Sequence, residues 1–235
     1  MARVNDIYLP KVEFLQEVLR QENKTQFNVT DLGCGGGHFV KACELQGINA
    51  KGFDTNKQLI DLGNEILEQN QIFYEDLSRI DELILHNDSE VISLVGVLEH
   101  LLEPISAVES FVQSSATYLY LQVPLFSFSV LLESMHPEVF PRQLNAGHTH
   151  LYTDSSLQYI CEENNIERIG EWWFGTDMVD LFRHLHILTQ SDSDIKGKMI
   201  ADFLGDFIDP LQTVLDQKKV CSGVNMVLKK NKQTQ

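Results

Sequence analysis

Residues Thr30 to Phe39 read TDLGCGGGHF, with four glycines, one cysteine and an aspartate in ten positions. A packed core has little use for so much glycine, whereas a loop that lets a ligand approach its backbone needs it. Gly33, Gly35 and Gly37 give G-x-G-x-G. The dinucleotide fingerprint is G-x-G-x-x-G, and the place of its third glycine is held by His38. Asp31 stands two residues before the first glycine. A carboxylate there repels a pyrophosphate and suits a ligand that carries an ammonium or a sulfonium. A second acid, Asp54, closes INAKGFD (48–54), where a carboxylate accepts hydrogen bonds from both hydroxyls of a ribose. The two acids together describe a nucleoside with a cationic group on its 5′ side, which is S-adenosylmethionine. The competing readings are a plain turn for the glycines and a helix cap for Asp54.

Histidines form the second chemical cluster. His136, His148 and His150 lie in one stretch, and His148 and His150 face the same way if that stretch is extended. Imidazole titrates near neutrality, so His148 or His150 is a candidate general base, with His100 a third. A base is required only if the methyl acceptor must lose a proton. Glu99 and His136 are candidate acceptor-facing residues. Arg142, the most available cation of its stretch, is a candidate for a substrate phosphate or carboxylate. Trp173, within Trp172–Trp173–Phe174, is a candidate pocket wall, and packing is the simpler account of those three aromatics. Two imidazoles alone make a poor metal site, and no third ligand is evident, so no metal is expected. The four cysteines, at 34, 43, 161 and 221, show no CxxC pair and read as free thiols.

These residues need elements to hold them. FNVTD is a strand running into the glycine loop, followed by a helix over 38–46. The strand 48–54 leads to a helix over 56–69, capped by Thr55 or Asn56 and weakened by Gly63. QIFYED is a third strand. VISLVGVL (91–98) is an apolar run of the kind buried on both faces of a sheet. A helix follows Pro104, and ATYLYLQVP (116–124) is the fifth strand. A helix over 10–21 precedes the first strand. The alternation argues an α/β fold: an open, mostly parallel sheet with helices on both faces. Beyond residue 124 the rhythm changes. Residues 125–150 read as a long irregular link, the length of a lid. A helix over 153–165, the strand IERIGEWWF, helices over 177–189 and 197–217 joined by QSDSDIKG, and the strand 224–230 complete the chain.

DLGCGGGHF resembles motif I of the class I, Rossmann-like, S-adenosylmethionine-dependent methyltransferases of small molecules. GFDTN (52–56) is similar to the end of that family's second strand, YEDLSRI (74–80) to the segment after its third, and VISLVGVLEHL (91–101) to its fourth strand and turn. The resemblance spans roughly residues 27–175 and makes VNMVLKK an antiparallel seventh strand. It implies one methyltransferase-like domain over 1–235, with a lid at 125–150 and a helical insertion at 177–217. It implies cofactor contacts from Asp31, Gly33, Cys34, Gly35, Gly37, Asp54, Thr55, Asp76, Leu77, Gly96, Val97 and Leu98. Asp76 matches the position that meets the adenine amino group, and Leu77 the one beside the ring. SRIDELILHNDSE departs from the family's usual proline-containing turn.

The chain has 235 residues, and 34 acidic against 18 basic side chains give a formal charge of -16. That average field disfavours a nucleic acid partner and suits a small-molecule substrate. The greasiest run, 118–132, is too short to span a bilayer and contains Pro124, so no membrane partner is expected. No targeting peptide is evident, and a cytoplasmic location is expected. Apolar faces on the added helices leave a homodimer open. Two other readings stand beside the methyltransferase: a binding protein that keeps the fold without the reaction, and a nicotinamide-dependent oxidoreductase, against which Asp31 and His38 both speak. A protein methyltransferase would need an open groove.

Overall fold

The computed structural model describes residues 1–139, 141–144, 147–188 and 195–231. Most of the expected turn over 190–197, and the polar tail after 231, lie outside them. Seven strands form one sheet in the order β3-β2-β1-β4-β5-β7-β6. They are β1 (Asn28–Leu32), β2 (Asn49–Asp54), β3 (Ile72–Tyr74), β4 (Val91–Val95), β5 (Tyr118–Pro124), β6 (Ile166–Phe174) and β7 (Gly223–Lys230). β1 pairs parallel with β2 and β4, as do β2 with β3 and β4 with β5. β7 runs the other way: its last residue, Lys230, bonds Thr117 before β5, while Ser222, ahead of β7, bonds Leu125 after β5. The α/β architecture read from the alternation is therefore present, including the reversed last strand.

The strand order reverses direction beside β1, so the connections after β1 and β4 diverge and leave a crevice at their carboxyl ends. The helices in order are α1 (Leu9–Gln21), α2 (His38–Leu45), α3 (Lys57–Ile66), α4 (Ile80–Leu85), α5 (Pro104–Gln113), α6 (Phe128–Met135), α7 (Asp154–Glu163), α8 (Asp177–Leu188), α9 (Ile195–Gly205) and α10 (Ile208–Gln217). The chain divides into two compact units. The first comprises Met1–Gln122, Gln158–Trp172 and the chain from Asn225 onward, and it holds most of the sheet. Its core packs Val12, Leu15 and Leu19 of α1 with Val29, Val91, Tyr118 and Tyr120 from three strands. Phe39 stacks on Tyr120 at 5.3 Å between ring centres, which seats α2 on the sheet.

The second unit comprises Val123–Leu157 and Trp173–Val224, so the expected lid and the expected helical insertion fall in the same unit. The link over 125–150 is not irregular throughout. Phe128–Met135 is helical, and Asp177, wholly buried, accepts bonds from the Ser127 hydroxyl (2.6 Å) and the Ser129 N–H (3.0 Å) at its first turn. The expected single helix over 197–217 is two, interrupted between Gly205 and Ile208. Pro210 stands in the first turn of the second, where proline is tolerated.

Candidate active site

The glycine loop leaves β1 under backbone control. The N–H groups of Gly33 and Cys34 both donate to the Phe53 carbonyl (2.8 and 3.1 Å), so the turn is pinned to β2. Gly33 has φ +77°, and a Cβ there would lie 2.5 Å from Val97 Cγ2. Both facts demand glycine. Val97, expected at the cofactor, thus shapes the loop through its buried side chain. Gly37 is buried at the start of α2 against Gln69 and Ile72, so its part is close packing.

Asp54 holds two elements at once. Its Oδ2 accepts the Gly35 N–H at 2.7 Å and its Oδ1 accepts the Asn56 N–H at 2.8 Å. Asn56 in turn caps α3 by accepting the Leu59 N–H (3.1 Å). The cap of α3 is therefore Asn56, and Asp54 ties the glycine loop to the residue that makes it. Each oxygen of a carboxylate keeps a further acceptor site for a ribose hydroxyl. Thr55 beside it is exposed. Asp76, after β3, accepts the Ser78 N–H at 3.0 Å, and that bond holds its carboxyl below the ordinary range. Leu77 follows it, half-buried. After β4, Gly96 donates to the Gln122 carbonyl (3.0 Å), and Leu98–His100 forms one tight turn. Asp31, Asp54, Asp76 and Gly96 thus stand at the carboxyl ends of four neighbouring strands.

Asp31 is the most unusual group of the set. It is 2% exposed, and its Oδ1 accepts the hydroxyl of Ser93 at 2.7 Å. Burial pushes its carboxyl up to about 7; the Ser93 bond and the Lys11 ammonium pull the other way, and Asp54 adds to the rise. A cavity of about 300 Å³ opens onto it. Its lining includes Gly33, Cys34 and Gly35 of the loop, Leu59 and Gly63 of α3, and Arg3, Tyr8 and His38. Tyr8 stacks on His38 at 5.5 Å, and the Arg3 guanidinium and the Lys11 ammonium both lie over the Tyr8 ring. Lys11 donates to Gln122 Oε1, and burial lowers its ammonium to about 8. The Cys34 thiol is raised by burial and by both aspartates, so it stays protonated and inert.

Arg3, Tyr8 and Lys11 were not among the expected site residues. They arrive on a helical turn at Val4–Tyr8 that continues into α1. Buried Val4, Val12, Leu15 and Leu19 continue one face from that turn into α1, and this spacing is the signal that placing a helix start at Pro10 cut short.

Of the acceptor-side candidates in the first unit, Glu99 is buried and its carboxyl is raised by that burial, while His100 is exposed. The rest lie in the second unit. The Nδ1 of His148 meets the Gln143 carbonyl at 2.9 Å. A carbonyl only accepts, so Nδ1 of His148 donates this bond. His150 bonds Thr149 Oγ1 at 2.9 Å and stacks on Tyr152. His136 is half-buried beside His184, with ring centres 6.3 Å apart. Arg142 is not the available cation it was expected to be: it pairs with the buried Asp180 at 2.8 Å. Trp173 carries the Lys219 ammonium over its ring at 4.9 Å, which fits the packing account. The four cysteines are free. Among the described residues, no helix is long and apolar enough to cross a membrane.

A family model described as a methyltransferase domain matches residues 6–169. A ubiquinone biosynthesis O-methyltransferase from Hydrogenovibrio crunogenus is 24% identical over 103 residues, which is 43% of this chain and 42% of that protein. The chain thus spans under half the length of that curated relative. A SAM-dependent methyltransferase from Archaeoglobus fulgidus shares the fold with a TM-score of 0.55, at 16% identity over 93% of this chain and 94% of its own. A magnesium protoporphyrin IX methyltransferase from Synechocystis PCC 6803, solved with SAH bound, gives 0.58, at 12% identity over 95% of this chain and 84% of its own.

Proposed function

We propose that this chain, which belongs to the methyltransferase domain family, transfers a methyl group from S-adenosylmethionine to a small-molecule acceptor. It is an enzyme, and its methyl donor is S-adenosylmethionine. The observation that carries the assignment of the site is Asp31: a buried acid opening onto the glycine-loop cavity, with the Arg3 guanidinium on the same lining. One acid and one guanidinium match the ammonium and carboxylate of an amino-acid head. A pyrophosphate would find Asp31 repulsive, so the nicotinamide reading is disfavoured.

S-adenosylmethionine supplies an electrophilic methyl on a sulfonium. Everything else falls to the protein, whose task is chiefly position. Asp31 takes the ammonium and Arg3 the carboxylate. The backbone of Gly33, Cys34 and Gly35, with Gly96, Val97 and Leu98, would hold the amino-acid portion. Asp54 takes the ribose hydroxyls, with Thr55 beside it. Asp76 and Leu77 border the adenine, and Gly37 keeps the loop in shape. Where the acceptor is a hydroxyl or a carbon acid, His148 or His150 is the candidate to remove its proton, with His100 the third. Glu99 is the proposed acceptor contact of the first unit; His136 and Trp173, of the second, are proposed for the acceptor on their residue types alone. Arg142 serves it indirectly, by bracing that region through Asp180.

The acceptor class follows from two supports. A charge of -16 suits a compact acceptor better than a polyanion. The relatives above are named for ubiquinone biosynthesis and magnesium protoporphyrin IX, both small molecules. Sugars and other biosynthetic intermediates of the cytoplasm are the expected set. The test is calorimetric titration with S-adenosylmethionine, S-adenosylhomocysteine and NAD, followed by transfer of a labelled methyl into a small-molecule extract. Uptake of the first two and not the third, with label in a low-mass product, supports the reading. No uptake of either sulfur compound ends it.

A further inference from the structure

Lys11 is a buried cation for which the mechanism above has no use. It is 7% exposed, on the face of α1 that packs against the sheet. Its ammonium donates to Gln122 Oε1 and lies 4.8 Å from the centre of the Tyr8 ring. Both partners are neutral. A hydrogen bond and an aromatic face ease the desolvation of an ammonium without balancing its charge. A lysine buried this far ordinarily has an anion to answer it.

The sheet register points to that anion. Asp31 of β1 stands opposite Ser93 of β4, and Val95, two residues on, stands opposite Gln122 of β5. Opposite residues of paired strands, and residues two apart along one strand, share a face of the sheet. Asp31, Ser93, Val95 and Gln122 therefore rise from the same side, and Gln122 holds the Lys11 ammonium on the side where Asp31 lies, across β4. Lys11 and Asp31 each draw the other toward its charged form, while Arg3 works against the charge on Lys11. Burial and the Asp54 carboxylate of β2 oppose ionisation of Asp31, and the Ser93 hydroxyl supports it. The Cys34 thiol of the loop, the Cys43 thiol of α2 and the Tyr120 phenol of β5 also face Asp31, and burial raises all three, so they stay neutral. Arg3 and His38 share the cavity wall with Asp31, and Lys11 is not part of that wall. Lys11 can thus act on a ligand only through the acid.

We propose that Lys11 is a positioning residue for the cofactor: held across β4 from Asp31 by Gln122, it keeps that acid an anion on which the ammonium of S-adenosylmethionine can seat. The inference rests on the function proposed above. Its test compares wild type with Lys11→Met and Lys11→Arg in the full chain. Carbon-13 NMR of the ligand-free protein follows the Asp31 carboxyl, which should titrate about one pH unit higher in Lys11→Met, as loss of a nearby opposite charge requires. Calorimetry at pH 6.5 should then find S-adenosylmethionine bound about tenfold more weakly by Lys11→Met. 5′-Methylthioadenosine, a nucleoside without the ammonium, should bind both proteins alike. Lys11→Arg keeps the charge and should restore both readings. Lys11→Gln serves as the second uncharged variant should methionine disturb folding. An Asp31 titration that the loss of Lys11 leaves unmoved overturns the proposal. So does equal weakening of both ligands, which would mark a damaged site, or a Lys11→Arg protein that behaves like Lys11→Met. A wild type that takes up no S-adenosylmethionine defeats the function proposed above, and this inference with it, whereas normal uptake by wild type and Lys11→Met alike defeats this inference alone.

Discussion

Asp31→Asn separates the cost of a buried acid from its use. With the site empty, the native carboxyl titrates near 7, against 3.8 for an ordinary aspartate. The folded state therefore holds a proton that the unfolded state has lost over that window, and stability falls as pH rises from about 4 to about 7. Three units correspond to about 4 kcal/mol lost by pH 8. Asparagine keeps an oxygen for the Ser93 hydroxyl and carries no charge, so the variant should melt several degrees higher than wild type at pH 8 and at nearly the same temperature at pH 4.5. Cofactor binding should move oppositely. An ammonium seated on Asp31 requires the ionised acid, so wild-type affinity for S-adenosylmethionine should rise about tenfold per pH unit below 7. It should level off and then decline as the ligand amine loses its proton near 8. The variant should bind about 100-fold more weakly at pH 7.5, with little dependence on pH below 7. Differential scanning fluorimetry and calorimetry in two buffers of different ionisation enthalpy measure both effects. A variant that is no more stable at pH 8, or that binds as tightly as wild type, refutes the assignment.

Arg3→Met should weaken S-adenosylmethionine about tenfold and leave the decarboxylated analogue nearly unaffected, because only the former has a carboxylate to lose; paired titrations measure the difference. Gly63→Ala would place a Cβ 2.4 Å from the Gly36 carbonyl oxygen, so it should cost about 1–3 kcal/mol in urea melts and also weaken cofactor uptake. His148→Asn should cut turnover about 100-fold on a hydroxyl acceptor while cofactor affinity holds, and His150→Asn should do less; unchanged turnover in both rules out these two as the base.

What could be read from the chain was whatever chemistry is written locally. The glycine loop, Asp31 and Asp54 stand within a few residues of strand ends, and strand ends follow from apolar runs and glycines. Arg3, Tyr8 and Lys11 were missed because nothing near them in sequence says where an arm some twenty residues ahead of β1 will lie. The partner of Arg142 is 38 positions away, so its ion pair with Asp180 was equally out of reach. The helix Phe128–Met135 was hidden by its company, since the prolines and histidines after it made the whole link look irregular. The break before α10 carries one mark, Pro210, and the hydrophobic period that runs on through it masks that mark.

Gly63 looked like a flaw in α3, a residue that weakens the middle of a helix. In the fold it lets the helix backbone rest directly on Gly36, with room for a hydrogen and nothing larger. The binding loop is thus moulded by a rigid neighbour before any ligand arrives, and little ordering remains to oppose capture. The same contact makes α3 a lever: a shift in how it seats moves the glycine loop together with α3's own lining residues, Leu59 and Gly63.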